Sequence, residues 1–292
     1  MPVVGTVHTG DAMSQPSFHE ILVHVAPSVS RQNDAGFEQA LALGGAHNAR
    51  LTAMIYEAEA LAPVTWSGIE IPLPASLPPT DTRPIEIAAA ALAEKAARAG
   101  VSFEAITDRS YAYGVGESFA DVARVRDIAV LTLPTMREVG RRFIVEAALF
   151  HSGRPVILVP RRAEPVAFQR VLIAWDASRA SVRALNDAMP ILARARSVTI
   201  ASVNDDKLFR PGQSALELTR HLAHAGVTAT FKDVKRRRRN VAAALVDTAH
   251  DEGASLIVMG AYAHSRLRDL VFGSATREML RGASDIPVLM SM

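Results

Sequence analysis

Cysteine is missing from this chain. Its absence excludes disulfides, thiolate metal sites and cysteine nucleophiles, and it fits a cytoplasmic protein. Aromatic residues are scarce at 5%, so any core must be built mainly from Ala, Val, Leu and Ile. No run of about 18 uninterrupted apolar residues occurs, which argues against a membrane-spanning helix. Charge of one sign is not in excess either: the formal net charge is +2, too small to argue for nucleic acid by itself. Familiar signatures are missing as well. The chain has no Gly-x4-Gly-Lys-Ser/Thr loop and no Gly-x-Gly-x2-Gly opening a helix after a strand. It also has no His-Glu-x2-His and no Gly-x-Ser-x-Gly. Nothing in it presents a nucleophile, a base and an orienting group as a set.

What remains is an ordinary apolar supply in an extended chain. The 292 residues are 49% hydrophobic and 21% charged, enough for a full core and for roughly two domains. Residues 1–17 are polar and lack a basic segment followed by an apolar one. They are read as a disordered leader and not as a signal peptide.

The remainder repeats one unit twice. Ile21-Leu-Val-His-Val25 is followed by Ala26-Pro27-Ser28, and Val171-Leu-Ile-Ala-Trp175 by Asp176-Ala177-Ser178. Helix-like segments come next, Ala35 to Ala49 and Ala180 to Ala195, then second apolar runs at Leu51 to Tyr56 and Ser197 to Val203. Further runs lie at Ile128 to Thr132 and Leu256 to Gly260, and each unit closes on Pro-Val, at Pro155 to Val159 and Pro287 to Met290. Strands alternating with helices predict parallel sheets with βαβ crossovers, and near-continuous apolar strands predict cover on both faces. The units divide into residues 18–162 and 168–292, at a charged stretch containing Pro165.

Two segments interrupt the pattern. Residues 63–84 carry six prolines (Pro63, Pro72, Pro74, Pro78, Pro79 and Pro84) and are expected to form one long loop, because proline removes donors that helices and central strands need. Lys235-Arg-Arg-Arg-Arg239 precedes Asn240, an expected N-cap for a helix from Val241 to His250. That run is read first as a solvated loop, with a nucleic-acid or phosphorylated-partner contact, or a source of positive potential near a phosphate site, as the alternatives. No aromatic residues interleave it, which disfavours nucleic acid.

In an open parallel sheet ligands sit beyond the carboxyl ends of the strands, where strand order reverses. Two second-unit segments meet that description: Trp175-Asp176-Ala177-Ser178, and the stretch from Gly260 to Thr276. Asp176 at a strand end suits hydrogen bonds from an adenosine moiety; helix capping is the alternative for both Asp176 and Ser178. Gly273, Ser274, Ala275 and Thr276 enter a helical pattern and can present N–H and hydroxyl donors to phosphate; a plain Gly-Ser turn is the alternative. His264, Arg266 and Arg268 lie in the same stretch, as phosphate contacts or as solvated loop. The first unit has Ala26 in place of Asp176 and Thr132 in place of Gly260, and Gly140 is the only glycine inside its corresponding loop. A single site, in the second unit, is therefore expected. His221 and His224 fall three apart without an evident third ligand, so no metal site is assigned.

These residues resemble the universal stress protein family, strongly in the second unit and in degenerate form in the first. The family's Gly-x2-Gly-x9-Gly-Ser/Thr pattern reads here Gly260-x2-Ala263-x9-Gly273-Ser274, with alanine at the middle position. Its Asp-Gly-Ser strand end reads Asp176-Ala177-Ser178, and Asp285-Ile-Pro-Val-Leu289 is similar to its closing strand. The resemblance implies an α/β fold of two tandem Rossmann-like (adenine nucleotide alpha hydrolase-like) domains, each a five-stranded parallel sheet with helices on both faces. It implies pairing of Val156 to Val159 with Val288 to Met290 as an internal pseudo-dimer, with a homodimer of chains as a further state. It also implies ATP with a divalent ion such as magnesium. Asp176 and Val203 would contact adenosine, Gly260 and Ala263 would approach the phosphates, and Gly273, Ser274, Ala275 and Thr276 would hold them. The expected role is in stress response or signalling, with at most slow ATP hydrolysis. The alternative is a nucleotide-free scaffold or interaction protein of the same fold.

Overall fold

The computed structural model describes residues 15–28, 34–57, 61–66, 69–74, 82–107, 114–203, 212–236, 238–261, 263–264, 271–272 and 274–292. The amino-terminal half runs β1 (Glu20–Val25), α1 (Ala35–His47), β2 (Arg50–Ile55), β3 (Leu61–Trp66), β4 (Ile69–Pro74) and α2 (Arg83–Arg98). It continues with β5 (Phe103–Ile106), α3 (Val115–Ala123), β6 (Ile128–Thr132), α4 (Val139–His151) and β7 (Val156–Val159). The carboxy-terminal half runs β8 (Arg170–Ala174), α5 (Arg179–Asp187), α6 (Met189–Leu192), β9 (Ser197–Val203), α7 (Gly212–His224) and β10 (Ala229–Val234). It ends with α8 (Val241–Asp251), β11 (Leu256–Gly260), the short strands β12 (Ala263–His264) and β13 (Val271–Phe272), α9 (Ser274–Leu280) and β14 (Val288–Ser291).

One ten-stranded sheet joins the halves, in the order β10-β9-β8-β11-β14-β7-β6-β1-β2-β5. Every neighbouring pair in it is parallel except β14 with β7, which run antiparallel with Met290 opposite Val156 and Val288 opposite Leu158. This ladder turns what would be an open edge on each half into the middle of a larger sheet. Strand residues alternate between two cores. Ile21, Val23 and Val25 face α1 and α2, while the same side of the second half packs on α5, α6 and α7. Leu22, Ala129, Leu131, Ile257 and Met259 face α3, α4, α8 and α9. Continuous apolar strands are thus covered on both sides, as a crossover fold requires.

Helix limits follow local chemistry. Asp34 caps α1 by accepting from the Phe37 N–H at 3.1 Å, and Asn48 closes the helix in the left-handed region at φ 52. Asn240 caps α8 through Ala243 N–H at 2.7 Å. The second unit's first helix divides into α5 and α6 because Pro190, at the start of α6, cannot continue a helix from α5. The segment between the halves is tied down by Gln39 on α1. Its amide donates to the Val166 carbonyl and accepts from the Val166 N–H, both at 3.0 Å.

The proline-rich segment differs from the expected loop. Residues 61–66 and 69–74 form a two-stranded antiparallel hairpin, with Pro63 opposite Pro72 and Leu61 opposite Pro74. All three prolines fall on positions of one parity. In a two-stranded ribbon one set of N–H groups points outward, so proline there removes no ladder bond. Pro84 sits in the first turn of α2, where a missing N–H is harmless. Pro78 and Pro79 lie outside the described residues, as do residues 1–14 of the expected leader. Of the leader's last three residues, Ser17 is held by α1: its hydroxyl donates to the His47 carbonyl at 3.1 Å. Among the described residues no helix is long and apolar enough to cross a membrane.

Candidate nucleotide cleft

In the carboxy-terminal half the chain runs from β8 to β9 on one side and reaches β11 on the other. The carboxyl ends of β8 and β11 therefore form the switch point of that half. A cleft of about 240 Å³ opens there. Ala174, Trp175 and Asp176 from the end of β8, Ala201 and Val203 from β9, and Met259 and Gly260 from β11 form its floor and lip. Val241 and Leu245 of α8 and Ala275 and Thr276 of α9 form its walls. The cleft lies on the α8/α9 face, because Ala174, Ala201, Val203 and Met259 all point to that side.

Five residues picked out from the sequence meet here: Asp176, Val203, Gly260, Ala275 and Thr276. Ala263 begins β12, three residues beyond β11, and pairs with Phe272. Ser274 is the first residue of α9. Gly273, Arg266 and Arg268 lie outside the described residues. Sequence reasoning passed over Ala174, Ala201, Met259, Val241 and Leu245. The signal for the first three was period-two alternation at the strand ends, which puts them on one face with Val203.

The turn after β8 settles which group caps α5. Ser178 does so, its hydroxyl oxygen accepting from the Ser181 N–H at 3.1 Å. Asp176 is left at the lip. It is exposed, and one carboxylate oxygen accepts from the Ser178 N–H at 2.9 Å in an Asx turn. Ala177 between them takes φ 57, a left-handed conformation that disfavours a Cβ. The neighbouring Trp175 is fixed by its backbone N–H on the Ala201 carbonyl at 2.8 Å and by its indole N–H on the Ser214 hydroxyl at 3.2 Å.

Gly260 has a reason of its own to lack a side chain. A Cβ there would lie 2.6 Å from both the Ala180 carbonyl carbon and the Ser181 nitrogen, in the first turn of α5. The glycine lets α5 settle on β11, on the face opposite the cleft, and so fixes the turn that carries Asp176. The basic run borders the same end of the sheet. Lys235, Arg236, Arg238 and Arg239 are exposed, Arg239 pairs with Asp247, and the run leads through the Asn240 cap into α8, whose Val241 and Leu245 line the cleft. His221 and His224 are exposed on α7.

The donor set suits an organic phosphate ester. Small apolar residues make the floor, a carboxylate stands at the lip, and the first turn of α9 presents the Thr276 position and backbone N–H groups. A helix start of this kind favours negative charge. Asp176 is the one carboxylate among the described lining residues. A magnesium ion would therefore be held chiefly by the phosphates that bring it.

Comparison with known proteins agrees with this architecture. Residues 167–291 match the model of the Universal stress protein family. Universal stress protein Slr1230 of Synechocystis sp. (strain ATCC 27184 / PCC 6803 / Kazusa) is 31% identical over 141 residues, which are 47% of this chain and 46% of that protein. The chain thus matches about half the length of this curated relative. The crystal structure of a universal stress protein from Archaeoglobus fulgidus DSM 4304 superposes with a TM-score of 0.60 over 93% of this chain and 97% of its own, at 14% identity. A functionally unknown protein from Pseudomonas aeruginosa PAO1 superposes with a TM-score of 0.57 over 94% and 92%, at 16% identity. These structures share the fold across both halves. Its carboxy-terminal half, residues 167–291, is thus similar to the universal stress protein family in sequence, and both halves share that fold.

Proposed function

We propose that this protein binds ATP, accompanied by magnesium, in its carboxy-terminal cleft, and that it serves in stress response or signalling without an efficient catalytic centre. In this reading its two halves form an internal pseudo-dimer through β7 and β14. The observation that carries the reading is the convergence of Asp176, Val203, Gly260, Ala275 and Thr276 on one cleft at the strand-order switch. At about 240 Å³ the cleft lies just below the ~300–1,000 Å³ of small-molecule sites. It suits the base and part of the ribose, with the phosphates directed to the start of α9. Asp176 accepts from the nucleoside, and the α9 start faces the phosphates. Asp176, the one carboxylate among the described lining residues, is assigned to the nucleoside, so binding and release are the chemistry proposed.

Calorimetry with Mg-ATP on the full chain tests this, with Asp176→Ala as the control. Micromolar binding that is lost in Asp176→Ala supports the proposal. No binding at millimolar ATP refutes it and leaves the nucleotide-free scaffold as the function.

A further inference from the structure

The two halves can be aligned residue by residue from their ladders. Ile21 lies opposite Leu51 and Ile128; Val171 lies opposite Val198 and Leu256. His24 therefore corresponds to Ala174, Tyr56 to Val203, Met54 to Ala201 and Thr132 to Gly260. The helix starts extend the match. Phe119 is the fifth residue of α3 and Leu245 the fifth of α8; Arg141 is the third of α4 and Thr276 the third of α9.

At these six positions the residue of the carboxy-terminal half is replaced by a larger one; Thr132, like Gly260, faces the first helix on the side away from the cleft, and Val25, Ala26 and Gly140 are smaller than the lining residues Trp175, Asp176 and Ala275 that they match. All six replacements, His24, Met54, Tyr56, Phe119, Thr132 and Arg141, are buried. His24, Thr132 and Arg141 are also bonded into place. The Arg141 guanidinium donates to Asp34 Oδ2 at 2.8 Å, with side-chain exposures of 8% and 2%, deep enough to exclude solvent from the pair. Thr132 Oγ1 donates to Asp34 Oδ1 at 2.5 Å and accepts from the Gly36 N–H at 2.8 Å. The His24 ring packs at a tilt of 54° against Tyr56 with centroids 4.6 Å apart, and its Nε2 lies 2.9 Å from the Tyr56 carbonyl. A carbonyl only accepts, so that nitrogen carries the proton. Burial, then the nearby Arg141 charge, holds His24 down at a pKa of about 3, so the ring is neutral.

The glycine contact has changed sides along with these residues. In the carboxy-terminal half Gly260 on the strand makes room for Ala180 on the helix. In the amino-terminal half Gly36 on the helix makes room for Thr132 on the strand, where a Cβ on Gly36 would lie 2.6 Å from the Thr132 nitrogen. The helix–strand contact is thus kept while the strand position gains the hydroxyl that binds Asp34.

We propose that the amino-terminal half is a closed copy of the cleft. The chain's own side chains, His24, Met54, Tyr56 and Phe119, take the ligand space, and Arg141 in the first turn of α4 is locked on Asp34 near His24, so each chain takes up one nucleotide. The ligand in this statement rests on the nucleotide reading above; the closure does not. A cleft already filled and ion-paired gains nothing from ligand, so only the carboxy-terminal half responds to nucleotide concentration. The amino-terminal half keeps one conformation, and through the shared β7–β14 ladder it serves as the fixed partner of the responsive half.

Single cysteines test the closure cleanly, because the chain has none of its own. Ala174→Cys and His24→Cys occupy matched positions, the first half-buried in the open cleft and the second in the closed copy. Toward an aromatic disulfide reagent, His24→Cys should react ~100-fold more slowly than Ala174→Cys, since it is reached only through local opening. Adding Arg141→Thr and Tyr56→Val should raise its rate toward that of Ala174→Cys. Equal rates in the two single variants would overturn the closure, whatever the triple variant does. Mg-ATP titration of the wild-type chain is the second arm. One equivalent bound and lost in Thr276→Arg supports the single-site statement; two equivalents overturn it. If no nucleotide binds while His24→Cys stays protected, the closure stands and the nucleotide reading falls.

Discussion

Gly260→Ala places one methyl group where the structure has no room. Its Cβ would stand 2.6 Å from two backbone atoms of α5 and 2.8 Å from the Ala180 Cβ. Ordinary contact at such a position is about 3.5–4.0 Å, so α5 must retreat by roughly 1 Å or the end of β11 must bend. Overpacking of this kind costs about 1–3 kcal/mol, and backbone atoms yield less readily than side chains, so the upper part of that range is expected. The retreat of α5 also moves Ser178 and Asp176, so nucleotide affinity should fall with stability although the methyl points away from the cleft. The amino-terminal half suggests a compensating change. There the strand residue has a Cβ and the helix has Gly36, so Ala180→Gly in the Gly260→Ala background should recover part of the loss. Denaturant unfolding of the wild type, both single variants and the double variant measures this as a coupling energy. A Gly260→Ala protein as stable as wild type would refute the packing argument; lowered ligand affinity at unchanged stability would instead place the role of Gly260 in the ligand contact alone.

Three further outcomes are expected. His24 and His47 are both held neutral, His24 near 3 by burial and Arg141, His47 near 4 by burial and Arg194. The unfolded chain binds these protons near pH 6.5 and the folded chain does not, so stability is full above that pH and falls as pH drops toward 3–4. His24 alone should remove about 2–3 kcal/mol between pH 7.5 and 4.5; His24→Gln should flatten the denaturant midpoint over that window but leave the His47 share. Ala177→Gly relieves a left-handed alanine at φ 57 and should raise stability by up to about 1 kcal/mol in urea unfolding, unfolded-state entropy offsetting part of the gain. A lower midpoint would mean that the Asx turn stores no strain. Arg141→Met should cost about 3–5 kcal/mol because Asp34 is left charged and buried, and Asp34→Asn in the same chain should recover much of it, since asparagine still caps α1. Thermal unfolding of the two variants separates the ion pair from the cap.

Much of this architecture is written locally. The apolar runs ending at Thr132, Val203 and Gly260 reappear as β6, β9 and β11 with the same last residues. Asn240 caps α8 as its place before an apolar helical pattern requires. The position of the cleft was legible too, because strand ends carrying Asp176 and Gly260 can only meet at one end of a parallel sheet. Ambiguities of one or two residues were not. Whether Asp176 or Ser178 caps α5 depends on the φ of Ala177, which the three-residue sequence leaves open. Proline content marked residues 63–84 as irregular, but proline parity across a ribbon is a pairing property, and pairing is not visible in one strand.

By itself, then, the sequence determined the repeated α/β unit, its covered parallel strands, the missing thiols and catalytic motifs, and the asymmetry between Asp176 and Ala26. These follow from residue type and periods of two and 3.6, which act over a few neighbours. Only the tertiary structure decided that Gly260 answers to α5, that Ala174 and Ala201 floor a cleft, and that Tyr56 and Phe119 close its counterpart while Arg141 locks on Asp34. Those facts depend on residues as far apart as Asp34 and Arg141 being brought into contact by crossovers and register, and long-range register is a property of the whole sheet.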